Sequence, residues 1–527
     1  MSGKLERKES GPIVLKHSLC RRAAAAALAG LLLSGCTRPA VLQPSSSSPS
    51  SQPAASGSSE AGTGSGTSQP ARFAIAVSEG SYNPYLNANT LTEQVAGLLF
   101  EKLVRISPRM ELEMRLADSV VSSGLTVTIR LRSGCTFADG TPLTASDVAA
   151  SLLAAKASAH YSGRLANLTD AQAPDAGTVV LTLAEPDSLF AYLLDLPILK
   201  AAEMASPQPT PCGRYTYGSQ ADTLTPNPRA PFPEEGPATI WLTPVSDYAE
   251  LVSQLAMGEI SFYLAEEAAS SAVATSERYF RTNTLLFLGV NGSADNPLCA
   301  TPQGRGALSA ALSREELAGR FASASPATGA LNSLYECVRG QQVIAEGADP
   351  GQLSTLMAAL GYHWDEASAL YCGADGQPAS VSILACGSSA DRVYAARLLQ
   401  QQWEKAGIQV TLTLADDFGA YLQMVQDRQF ELYIGEMKLY NNNDLSPFWT
   451  GSARYGLAVT QQLLDAYALM RADSAAAPDF ERAFAGQMPY IPLLWRGGVT
   501  VSNRRTSGVI SSVSDLYYSL AGLSIAQ

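Results

Sequence analysis

Val127-Thr-Ile-Arg-Leu-Arg-Ser-Gly-Cys-Thr-Phe-Ala-Asp-Gly-Thr-Pro-Leu-Thr-Ala-Ser-Asp-Val148 is the stretch from which the rest of the chain can be read. From Leu125 to Arg132 apolar and polar residues alternate, the pattern of a half-buried strand. Gly134 to Pro142 follows as a loop, with Asp139-Gly140 as its tight point. Thr144 stands three residues before Asp147, the spacing of a capping box. A helix is therefore expected over Ala145–Lys156, with Val148 and Leu152 facing inward.

Working outward, Thr178 to Leu183 reads as a second strand, stopped by Glu185-Pro186. The later half alternates strands and helices. Val381, Ile383 and Ala385 share one face of a strand, and Arg392 to Ala406 is a helix with Gly407 at the left-handed cap position. Ile408 to Leu414 alternates as a strand, Phe418 to Gln426 as a helix and Phe430 to Ile434 as a strand. That order implies an α/β layer with parallel pairing. No internal repeat is evident.

The N-terminal end carries a different signal. Arg21-Arg22 precede an apolar run from Ala23 to Leu33, and Leu33-Ser-Gly-Cys36 closes it. A membrane-spanning helix needs about 20 apolar residues, so this shorter run reads as a signal peptide. A cysteine after small residues resembles the lipobox of bacterial lipoproteins, which implies cleavage before Cys36 and a lipid on its thiol. Residues 1–35 are then the signal peptide. Residues 36–71 are a lipidated cysteine and a Ser/Gly/Pro tether too poor in apolar residues to fold. What remains is too long for one ordinary domain.

The formal net charge is −12. Residues 1–35 hold six basic and two acidic residues, so their removal takes the body to −16. That excludes nucleic acid and argues against adsorption to anionic lipid. Of eight cysteines, Cys135, Cys212, Cys299, Cys337, Cys372 and Cys386 lie in the body. Outside the cell they can pair in fifteen ways or stay as buried thiols. No C-x-x-C, G-x-S-x-G, H-E-x-x-H or phosphate-binding loop occurs, and the body has only His160 and His363. The reading is a non-enzyme with no cofactor and no metal site. Any ATPase serving it is another chain.

Several segments resemble the family 5 extracellular solute-binding proteins of bacterial ABC transporters. The quoted stretch keeps every fixed position of that family's R-x-G-x-x-F-x-D-G-x-P-L-T-A-x-D-V pattern. In order along the chain come Asn83-Pro84, Leu99-Phe-Glu-Lys-Leu-Val104, Gly213-Arg-Tyr215, Leu255-Ala-Met-Gly-Glu-Ile260, Leu288-Gly-Val-Asn291, Gly306 to Glu315, Glu404-Lys-Ala-Gly-Ile408 and Pro489-Tyr-Ile-Pro-Leu493. The resemblance implies a periplasmic-binding-protein-like α/β fold of the class II, cluster C type, with two α/β lobes around a hinge and an extra lobe. Lobe I is expected at 72–110, 200–285 and 490–527, lobe II at 111–199 and lobe III at 286–489. Solute would be enclosed between lobes I and III.

Enclosure calls for aromatic walls and a few orienting polar groups. Two segments have that composition where the family tends to place contacts: Tyr82, Asn83 and Tyr85, and the run Glu436, Tyr440, Asn441, Asn442, Asn443, Asp444 and Trp449. The chain departs from dipeptide binders here, because no acidic residue stands in their ammonium-binding register. Glu436 or Asp444 is the substitute, and Arg392 lies near the position of their carboxylate-binding arginine. The function implied is a lipid-anchored, monomeric receptor on the outer face of the cell membrane. It would deliver a short peptide to a permease with separate ATPase subunits. The alternatives are a metal chelate such as nickel, an oligosaccharide, or a surface receptor or chaperone-like role without transport.

Overall fold

A computed structural model describes residues 72–87, 89–265, 275–450 and 455–526. The signal peptide, Cys36 and the tether lie outside them. β1 (Phe73–Val77) is apolar and buried at every position, the pattern of a strand covered on both faces. After the hairpin of β2 (Val104–Ile106) and β3 (Leu112–Met114) come β4 (Ala117–Ser123), β5 (Thr126–Leu131), β6 (Leu168–Asp175) and β7 (Thr178–Leu183). These last four form an antiparallel sheet in the order β4-β5-β7-β6.

The quoted stretch folds as its residues dictate. β5 buries Val127 and Ile129, and helix Ala145–Ala157 buries Val148 and Leu152. The Asp147 carboxylate accepts the Thr144 N–H at 2.8 Å and, through its other oxygen, the Ala201 N–H at 2.9 Å. Asp139 accepts the Thr141 N–H at 2.9 Å and Lys200 Nζ at 2.6 Å, with Gly140 at φ +88° beside it. The strongest motif is thus spent on a turn, a cap and two ties to residues 200–201.

The main sheet takes β8 (Tyr215–Tyr217), β9 (Thr223–Pro226), β10 (Ile240–Pro244), β11 (Phe262–Ala265) and β12 (Thr275–Val290). The short β13 (Ser325–Pro326) joins it, and β14 (His363–Asp365) and β15 (Leu370–Cys372) form a separate hairpin. β16 (Ser380–Cys386), β17 (Gln409–Ala415), β18 (Leu432–Lys438) and β19 (Tyr490–Asn503) complete it. The eleven strands run β17-β16-β18-β12-β19-β11-β1-β10-β9-β8, with β13 beside β19. β17 and β18 flank β16 in parallel, joined through helices Ala390–Lys405 and Phe418–Gln426, which is the expected α/β layer.

β12 and β19 pair antiparallel almost end to end and belong to both halves of the sheet: β18 borders one half and β11 the other. The expected boundaries at 285/286 and 489/490 fall on these two strands. Their register slips between Arg281 and Thr284, where Gly497 and Gly498 stand opposite Arg281 and Phe280. A Cβ on Gly498 would run into the Phe280 ring, and one on Gly497 would come 2.6 Å from the Ser323 Cβ. The bare backbone is what lets the strands cross there. All six body cysteines are free thiols, and among the described residues no helix is long and apolar enough to cross a membrane.

Candidate functional site

The chain leaves β16 for β17 on one side and returns past it to β18 on the other. Right-handed crossovers put the two connecting helices on opposite faces, which opens a crevice beyond the strand C-termini, the usual ligand position in such sheets. Arg392, in the first turn of helix Ala390–Lys405, stands in that crevice and is only 8% exposed. Its guanidinium carbon lies 5.6 Å from the Phe418 ring centre and 5.6 Å from that of Tyr421. The Tyr421 hydroxyl is locked by donating to the Ile434 carbonyl at 2.6 Å. Among the described residues no carboxylate pairs with Arg392. A guanidinium resting on aromatic rings with no carboxylate partner keeps its N–H donors available to a ligand.

Its neighbour Asp391 is committed elsewhere. Arg496 of β19 donates to Asp391 and, at 2.8 Å, to Glu436, with the Phe321 ring 5.6 Å from its guanidinium carbon. One cation therefore serves two carboxylates, while among the described residues Arg392 is paired with none. The sequence reading ends the third strand at Ile434. In the structure β18 runs to Lys438, because residues 432–438 pair throughout with β12. Glu436 is thus a strand residue held by Arg496, and the loop begins at Leu439.

That loop is fixed from two directions. Asn283, in the slipped part of β12, donates to the Tyr440 carbonyl at 3.0 Å and to Asn443 Oδ1 at 3.1 Å. This holds Asn443 at φ 52°, a conformation asparagine tolerates. Asn442 is buried and donates to Asp187 Oδ2 at 2.7 Å. Asp444 accepts the Tyr467 hydroxyl at 2.7 Å and the Ser446 N–H at 2.9 Å. Trp449 packs on Tyr467, ring centres 5.7 Å apart, and its buried indole N–H finds no partner among the described residues. Asn441 is half-buried and makes no side-chain hydrogen bond among the described residues.

Of the early group, Asn83 is a brace. It is fully buried and donates to the carbonyls of Met204 and Ser206, both at 2.9 Å, while accepting the Tyr85 N–H at 3.0 Å. The Tyr82 ring lies 5.8 Å from that of Tyr217. The Tyr85 hydroxyl donates to the Pro197 carbonyl, its ring meets Tyr161 edge-on at 5.7 Å, and burial pushes its pKa well up. Tyr85 and Tyr440 converge on one neighbourhood. A Cβ on Gly163 would lie 2.6 Å from the Tyr440 hydroxyl, and Arg164, paired with Asp195, senses both tyrosines. Arg392 lies on the Phe418 and Tyr421 rings, and Glu436 is joined through Arg496 to Asp391, the residue before Arg392.

Sequence reasoning missed Asp391, Phe418, Tyr421 and Arg496. Helix periodicity already puts Phe418 and Tyr421 in the first turn after a strand, the edge where ligands sit. Arg496 follows Pro489-Tyr-Ile-Pro-Leu493 by three residues but has no local feature that marks it. His160 pairs with Glu93 at 3.0 Å. His363 is exposed on the β14–β15 hairpin.

The sequence profile of bacterial extracellular solute-binding proteins, family 5 Middle, matches residues 111–456, well over half of the chain. Among curated relatives, the glutathione-binding protein GsiB of Escherichia coli O1:K1 / APEC is 27% identical over 313 residues, 52% of this chain. That match spans 60% of the relative's own length. Among solved structures, the unliganded open form of the periplasmic murein tripeptide binding protein MppA aligns with a TM-score of 0.69 at 17% identity, over 86% of this chain and 97% of that one. A nickel ABC transporter structure from Bacillus halodurans aligns with a TM-score of 0.68 at 18% identity, over 86% of this chain and 100% of that one. At such identities these likenesses establish the fold, which is periplasmic-binding-protein-like α/β. The long family profile adds the lineage: the chain belongs to the bacterial extracellular solute-binding proteins of family 5.

Proposed function

We propose that the protein is the binding component of an ABC importer, tethered outside the cell membrane by a lipid on Cys36, and that it encloses a short peptide and hands it to the permease. The observation that supports this best is Arg392, an 8% exposed arginine with aromatic support and no carboxylate partner among the described residues. A solute carboxylate placed there would gain a charge-assisted hydrogen bond in a site already largely desolvated. Glu436, tied through Arg496 to the Asp391 that precedes Arg392, keeps acceptor capacity, because a carboxylate has about four lone-pair sites and Arg496 uses one direction. A cation without a carboxylate partner and an acceptor linked to its chain neighbour suit a ligand bearing both charges, as a peptide does. Tyr440, Asn441 and Tyr82 would contribute walls and a free amide. Asn83, Tyr85, Asn442, Asn443, Asp444 and Trp449 would hold them in place. The names of GsiB and MppA, a glutathione binder and a murein tripeptide binder, lean the same way.

The test is thermal unfolding of the purified chain with tripeptides, against the same tripeptides amidated at the C-terminus. A ligand at a hundred times its dissociation constant stabilises by about 2.7 kcal/mol. The expected result is an upward shift with free carboxylates that amidation removes. Equal shifts from both sets would overturn the role given to Arg392. No shift in protein stripped of carried-over ligand would redirect the search to metal chelates and sugars.

A further inference from the structure

Asp187 lies outside the main sheet, in the segment that follows β7, yet it ends on the loop after β18. It is 1% exposed. Its Oδ2 accepts Arg471 Nη2 at 2.6 Å and Asn442 Nδ2 at 2.7 Å, and its Oδ1 accepts the Leu189 N–H at 3.1 Å. Arg471 closes the triangle by donating from Nη1 to the Asn442 carbonyl at 3.0 Å. The same segment seals the end of helix Gln461–Ala472. The Ser188 N–H donates to the Arg471 carbonyl at 2.8 Å and its hydroxyl to the Met470 carbonyl at 3.3 Å, satisfying acceptors that a helix C-terminus leaves open.

Buried Asp187 and the largely buried Arg471, from two other parts of the chain, therefore meet at one residue of the loop, the buried Asn442. Replacing a buried ion pair by apolar residues of similar size is often neutral or stabilising, so stability alone is a weak reason for this arrangement. What the triangle does achieve is to define the loop. Asn442 is held by Asp187 and Arg471, Asn443 by Asn283, and the Asn441 side chain between Tyr440 and Asn442 is left without a partner among the described residues.

We propose that Asp187 is a positioning residue of the solute site: with Arg471 it fixes Asn442, and so sets the loop that presents Tyr440 and Asn441 to the solute. This rests on the reading of that loop as part of the site. The Asp187→Asn variant keeps the shape and removes the charge. The double variant Asp187→Leu with Arg471→Met removes both charges, so that loss of function cannot be put down to one stranded ion.

The experiment compares the full chain with both variants, with Asn441→Ala and with Arg392→Met, using an equimolar mixture of tripeptides with free termini as probe. Hydrogen exchange over residues 439–445 is read without peptide, and the peptide-induced rise in melting temperature is read separately. The expected result for both Asp187 variants is exchange about tenfold faster in the loop, an energy step of roughly 1.4 kcal/mol, with a weakened peptide response. The double variant should melt near the parent when peptide-free. Unchanged exchange overturns the proposal, and so does faster exchange with an intact peptide response. If Arg392→Met abolishes the response while the Asp187 variants keep it, the positioning role alone has failed. If Asn441→Ala and Arg392→Met both leave it intact, or the parent shows none, the site reading has failed and takes the proposal with it.

Discussion

Glu481 shows how one side chain can carry a pH dependence. It is buried, receives the N–H groups of Ala330 at 2.9 Å and Leu331 at 2.7 Å, and among the described residues is paired with no cation. Burial pushes its carboxyl from an ordinary 4.5 up to about 7. The folded chain thus holds a proton that the unfolded chain releases near 4.5. Glu481's contribution to stability is full below that pH and is lost as pH rises through 7, on the order of 3 kcal/mol in all. In Glu481→Gln that slope should vanish, which chemical denaturation of the two proteins from pH 4.5 to 8 will show. Arg392 makes the complementary case for binding. Arg392→Met keeps length and apolar packing but removes the charge, and should weaken a carboxylate-bearing tripeptide by about 1.5–3 kcal/mol. Calorimetry with the free and amidated peptides checks it: only the free form should lose affinity.

Among the elements, β12 and β18 are matched in shape as well as register. Phe287 stands directly across from Gly435, and Tyr433 directly across from Gly289. Each ring lies over the glycine opposite, so an added Cβ would run into it. Such cross-strand pairs are the unit of sheet stabilisation. Gly289→Ala should cost about 1–3 kcal/mol by overpacking, seen as a lower denaturant midpoint at unchanged slope. The alternation that makes β5 and β17 readable from sequence is missing from residues 285–290 of β12 and 432–435 of β18, which are buried at every position. An apolar run with a glycine in it does not announce which ring the glycine serves. The short estimate of the third strand, ending at Ile434, follows from the same cause: Glu436 and Lys438 look like loop residues until β12 is placed beside them.

Across the whole molecule, chain segments far apart are riveted through Glu234. Its carboxylate meets Arg105 at 3.1 Å, Arg115 at 3.3 Å and Arg214 at 2.9 Å, and Arg214 reaches on to Asp515 at 3.0 Å. Glu234→Ala would leave three arginines around one lost anion and should destabilise by about 2–4 kcal/mol, measured as the unfolding free energy. Conversely, Glu111–Arg339 is half-exposed on both sides, and its removal should be near neutral. If the lipid on Cys36 tethers the chain, Cys36→Ser will move the protein from the membrane fraction to the soluble one without changing its melting temperature.

The sequence by itself determined what neighbours along the chain can settle. The Asp139-Gly140 turn, the Thr144–Asp147 cap and the strand–helix–strand–helix–strand order from β16 to β18 each depend on residues a few positions apart, and each is where its residues put it. The family followed from the same local pattern. Only the tertiary structure decided which polar residues are spoken for. Asn83 is spent on the 204–206 segment, Asn442 on Asp187 and Glu436 on Arg496, while among the described residues Arg392 and Asn441 make no side-chain hydrogen bond. Those assignments join residues 60 to 255 positions apart, and a side chain's unmet hydrogen-bonding capacity is defined only when its distant partners have arrived.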